Sequence, residues 1–132
     1  MFPRDRFLMK RFASHRLYIP HLGLFLKNHV VQLDEQTGAV TDYYPFTEEI
    51  SFTEWLNGLI VLSYDSPKIL LCGTPEQMSD STVLFVDNDK KLRSKLPSED
   101  DNKLLTLNAY YVTSFNVSDM CFSDNSIVVR LS

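Results

Sequence analysis

A chain of 132 residues, 44% hydrophobic and 23% charged, is long enough to bury a core but too short for a (β/α)8 barrel of about 250 residues. That composition is ordinary for a folded globular protein and unlike that of a disordered one. The net charge of −4 argues against non-specific nucleic-acid binding, and no stretch reaches the ~18 apolar residues that span a bilayer as a helix.

The first residues, Met1-Phe2-Pro3-Arg4-Asp5-Arg6, carry charges where a secretory signal needs an apolar run, so a cytoplasmic chain with reduced cysteines is expected. Arg4, Arg6, Lys10, Arg11 and Arg16 form a basic cluster with no aromatic stacking platform beside it, which reads as a solvated N-terminal segment. Residues 12–19 are rich in aromatic and β-branched side chains and stop at Pro20, which removes a ladder donor. Residues 23–28 read as a turn into a second strand, 29–33. Asp34-Glu35-Gln36-Thr37-Gly38 then supplies turn chemistry, with Gly38 free to take positive φ. Residues 39–44 return as the hairpin partner.

Thr47-Glu48-Glu49 could open a short helix, although Ile50, Phe52 and Thr53 fit an extended segment better. A short strand is expected at 58–62 and another near Ile69-Leu70-Leu71-Cys72. One helical turn fits 74–78, with Thr74 as N-cap and Pro75 at the first position. Residues 82–86 read as a strand, and the polar run 87–102, containing Pro97, as a long solvated connector. Residues 110–117 read as a strand with Tyr111, Thr113, Phe115 and Val117 on one face. Residues 126–131 form the last strand. Cys72 and Cys121, flanked by apolar residues, are expected to pack in the core.

About eight short strands at this spacing predict one all-β domain over 1–132, an antiparallel sandwich or open barrel with at most one or two short helices.

Three runs and a fourth near the C-terminus have a recognisable order. They are Phe12-Ala13-Ser14-His15-Arg16-Leu17-Tyr18-Ile19, Leu26 through Asp34 with Gly38-Ala39-Val40, Asn57-Gly58-Leu59-Ile60-Val61, and residues 112–131. This order resembles the small composite β-domain of amidohydrolase-type metal-dependent hydrolases, those related to cytosine deaminase and chlorohydrolases. In that family an Asn-Gly-hydrophobic segment leads into the first barrel strand and its His-x-His metal motif. Here it leads into Ser63-Tyr64-Asp65-Ser66-Pro67, and only residues 63–111 occupy the place of the barrel. The resemblance implies a β-sandwich assembled from both ends of the chain, without the catalytic part.

His15, His21 and His29 are not spaced as metal ligands on one element, and no nucleophile elbow, phosphate loop or dinucleotide fingerprint is present. No catalytic residue, metal or cofactor is therefore expected. The function expected is that of a non-catalytic binding or assembly module derived from an accessory domain. The alternative is a subunit or remnant of a hydrolase of non-peptide C–N bonds, its metal site supplied by a partner chain. Partners expected are a second copy or a separate hydrolase subunit, not nucleic acid or membrane. The candidate contact surface is the aromatic set Tyr43, Tyr44, Phe46, Phe52, Trp55 and Tyr64, whose alternative role is to fill the core.

Overall fold

Alternation of apolar and polar residues lets one strand present two faces, and the chain uses both. The computed structural model describes residues 9–47, 53–71, 81–96 and 106–131. Strand β1 (Met9–Ile19) turns through a single 3-10 turn, Pro20–Leu22, into β2 (Leu24–Asp34), and β2 returns as β3 (Val40–Pro45). Next come β4 (Thr53–Ser63), β5 (Lys68–Ile69), β6 (Val83–Val86), β7 (Leu92–Lys95), β8 (Asn108–Val112) and β9 (Val128–Arg130). The protein is all-β. A six-stranded sheet runs β3-β2-β1-β4-β8-β9, and a three-stranded sheet runs β5-β6-β7. Both sheets are mixed: β1 pairs with β4 in parallel and β5 with β6 in parallel, and the other pairings are antiparallel.

β4 lies inside the larger sheet, between β1 and β8, and its residues Leu59, Ile60, Val61 and Leu62 are all fully buried. Ile60 and Leu62 join an inner cluster with Phe12, Leu17, Ile19, Val31 and Leu33. Leu59 and Val61 face the other way, onto Tyr18, Leu84, Leu92, Val112 and Phe115. The larger sheet curls around the inner cluster until Ala39 bridges Asn108, and Val40 N–H donates to the Leu107 carbonyl at 2.8 Å. The smaller sheet covers the opposite face. Strands β5 to β7, which lie between β4 and β8 in the chain, thus supply a second layer for the larger sheet.

Phe12 and Leu17 share the inner cluster although five residues separate them, an interval a regular strand would place on opposite faces. A bulge makes the change: the β1–β4 register shifts between Ser14 and Arg16, so Asn57 and Gly58 together oppose His15. Gly58 sits there at φ +120, a conformation that side-chain-bearing residues rarely adopt, under the ring of Tyr111. The Tyr111 hydroxyl closes the bulge by donating to the Asn57 carbonyl.

A carboxylate fixes the second sheet to the first. Asp65, just beyond β4, accepts from the Thr82 backbone N–H at 2.8 Å and the Thr82 hydroxyl at 2.7 Å, and from the Ser63 hydroxyl at 3.2 Å. Ser63 and Thr82 are buried, so these bonds satisfy donors that water cannot reach.

Four expectations need correction. Residues 23–28 are not a turn before the second strand, because β2 begins at Leu24 and pairs with β1 from there. The polar run 87–102 is not all connector, because β7 lies within it, held by antiparallel pairing to β6 and by burial of Leu92. Residues 110–117 are not one strand. β8 ends at Val112, a turn with Ser114 at φ +57 follows, and Phe115 and Val117 pack on the outer cluster while Tyr111 packs on the inner one. Cys121 is exposed, since the Asn116–Cys121 bridge turns it outward while Met120 and Phe122 on either side take the core contacts. The expected helical turn at 74–78, Cys72, and most of the uncertain segment near Glu48 lie outside the described residues.

Candidate functional site

After the bulge, the residues of β1 that face away from the inner cluster are Arg16 and Tyr18. Their antiparallel partners on β2 are Lys27 and Phe25. The strand pair thus carries a row of two cations beside a row of two rings, one pleat period or roughly 7 Å apart. Two cations directly opposite each other destabilise an antiparallel pair. The rings of Tyr18 and Phe25 lie tilted, 6.4 Å between centroids.

The β6–β7 hairpin forms the opposite wall, and one carboxylate shapes its turn. Asp87 Oδ1 accepts from the N–H groups of Asp89 at 2.9 Å and Lys91 at 3.0 Å. Its Oδ2 pairs with Arg93 Nε at 2.7 Å. The hydrogen bond from Arg93, then that from Lys91, holds the Asp87 carboxyl below its ordinary range, and the same pairing raises Arg93. Lys90 closes the turn at φ +61, a position where glycine is usual. Ser94 on β7 meets the Tyr18 hydroxyl at 2.9 Å and ties the hairpin to β1.

Between these walls lies an open cleft of about 730 Å3. Arg16, Lys27, Lys90, Lys91 and Arg93 line it with positive charge. Tyr18, Phe25, Leu92, Val117 and Met120 give it an apolar side, and among the described residues no carboxylate lines it. Among the described residues, Arg93 is the one lining cation with a carboxylate at ion-pair distance. Arg16 donates from Nη1 to the His15 carbonyl at 3.0 Å, but its Nε is buried without an acceptor. Of the basic cluster expected to be solvated, Arg11 bonds Gln32 on the sheet and Arg16 enters the cleft, while Arg4 and Arg6 lie outside the described residues. The bulge is what redirects Arg16.

The aromatic set expected to form one contact surface is split. Phe46 and Trp55 meet edge to face at 5.2 Å, with His15 on the other ring contact of Trp55 at 4.9 Å, and both large rings are partly exposed. Tyr64 stands nine residues further along the chain, against His21 at 4.7 Å. Tyr43 packs on the inner cluster and Tyr44 is half-buried on β3, whereas Phe52 lies outside the described residues.

The three histidines are likewise dispersed. His29 Nδ1 donates to the Lys27 carbonyl at 2.9 Å, and His21, whose buried Nδ1 has no partner, is held below its ordinary pKa by burial. Among the described residues no group of three or more His, Cys, Asp or Glu is arranged to hold a metal. Also among them, no helix is long and apolar enough to cross a membrane. Comparison with family models, with curated proteins and with solved structures finds no match to the chain.

The cleft escaped sequence reasoning because its cations come from three separate stretches. The legible signal was local: Arg16 and Tyr18 one period apart on a strand, and Lys27 and Phe25 one period apart on its hairpin partner.

Proposed function

We propose that the protein is a non-catalytic β-module that binds an anionic ligand in the cleft between its two sheets. One observation carries this: in a chain of net charge −4, five cations and, among the described residues, no carboxylate line a single cleft. Like charges brought together cost free energy, and an anion in the cleft offsets that cost. Calorimetric titration with a panel of mono-, di- and polyanions tests the proposal. Saturable binding that weakens with added salt, and weakens further in Lys91→Gln, is the expected outcome. Failure of every anion to bind removes the function.

A second reading keeps the hydrolase resemblance and makes the chain an accessory subunit of a metal-dependent hydrolase of C–N bonds. Its support is that the stretches carrying the resemblance, found in β1, β2, β4 and β9, lie in one sheet, with β5 to β7 outside it. Affinity capture from native lysate should then recover a barrel-type hydrolase in stoichiometric amount. Its absence counts against this reading and leaves the binding module unaffected.

A further inference from the structure

Anion binding in the cleft leaves open which anion, and the arrangement of the walls narrows it. Arg16 and Lys27 form a charged row at one level of the β1–β2 pair, and Tyr18 and Phe25 form an aromatic row one pleat period away. The hairpin adds Lys90 and Lys91 to the same cleft. An inorganic anion or a small polycarboxylate would satisfy the charged row and leave the apolar side wet. A cleft of about 730 Å3 is also far larger than such an ion requires. A neutral aromatic would do the reverse and leave four cations without a counter-charge. Both rows are used together only by a ligand that carries multiple negative charge roughly 7 Å from a flat ring.

Guanidinium groups bind phosphate through paired hydrogen bonds, and ammonium groups serve as point charges beside it. Phe25, half-buried at the cleft wall, offers the ring contact.

Resting on the anion-binding function proposed above, we infer that the cleft takes a phosphate ester bearing a flat aromatic ring, a nucleoside phosphate in its commonest form. Its phosphate lies on Arg16 and Lys27 with Lys90 and Lys91 at the rim, and its ring lies against Phe25 and Tyr18. The free nucleotide, not a nucleic-acid strand, is the occupant, because the cleft is of single-ligand size and the chain as a whole is acidic.

The test is calorimetric titration of the full chain with ADP, adenosine, inorganic phosphate, citrate and a short single-stranded oligonucleotide. ADP is expected to bind at least about tenfold more tightly than adenosine, phosphate or citrate. Arg16→Gln should weaken ADP at least about tenfold and leave adenosine unchanged. Phe25→Leu, which keeps the apolar volume and loses the ring, should weaken ADP but not phosphate. Lys91→Gln, an exposed change on the hairpin, repeats the charge test where Arg16→Gln perturbs the fold. Phosphate or citrate binding as tightly as ADP overturns this ligand assignment and leaves the anion-binding function standing. No binding by any anion overturns both. An oligonucleotide that binds more tightly than ADP overturns the free nucleotide in favour of a strand.

Discussion

Gly58 and Asp65 show how much a single position can decide. Gly58 at φ +120 accommodates the bulge at which β1 changes face, and with it Arg16. Gly58→Ala is expected to cost about 1–3 kcal/mol in chemical denaturation, since any Cβ there meets an unfavourable backbone. Asp65→Ala strands two donors of Thr82 and should cost a similar ~1–3 kcal/mol. His21 gives a pH signature of known sign. Its folded-state pKa lies below the ordinary value, so on acidification the unfolded chain takes up the proton first. Stability contributed by neutral His21 is therefore present above about pH 6.5 and lost as pH falls through that value towards the folded pKa. Denaturation midpoints measured across that window should decline in the parent and decline less in His21→Gln. The Asp87 carboxyl, also depressed, acts in a separate window: its contribution is present above the unfolded value and fades as pH falls through the lower folded value.

Strands with a clear apolar period were legible, and the others were not. Residues 12–19, 39–44 and 58–62 lie within β1, across β3, and within β4, because their alternating or continuous apolar runs suit half-buried and central strands. The Asp34–Gly38 turn forms as its residues suggest, with Gly38 at φ +78 and Asp34 Oδ1 accepting from Gln36 N–H at 2.8 Å. β7 was hidden because one apolar residue, Leu92, anchors it among charged neighbours, and pairing to β6 supplies what its sequence lacks. Its turn also carries a cost. Lys90 holds φ +61, where an L-residue loses about 1–2 kcal/mol. Lys90→Gly should therefore raise hairpin stability by up to about 1 kcal/mol while removing one cleft cation, so stability and anion affinity move in opposite directions. In the central strand, Leu62→Ala removes a fully buried side chain and should cost about 2–5 kcal/mol.

At the scale of the whole molecule, the all-β class followed from spacing and turn chemistry, but the cleft did not. It needs β1 and β2 in register, the bulge at His15, and the hairpin folded back over them, none of which a local pattern encodes. The expected aromatic surface was a local pattern too, and the fold divides it among β3, the start of β4, where Trp55 meets Phe46, and the end of β4, where Tyr64 meets His21. What the fold does assemble is a basic wall and an aromatic wall from stretches up to about eighty residues apart, Tyr18 and Ser94 meeting across 76 residues. The most direct measurement is an amide-resolved NMR titration of the full chain with ADP. Saturable shifts centred on Arg16, Lys27, Phe25 and Lys90 to Ser94 are the predicted result. No shift at all, or shifts centred on Phe46 and Trp55 instead, would contradict the assignment of the cleft as the binding site.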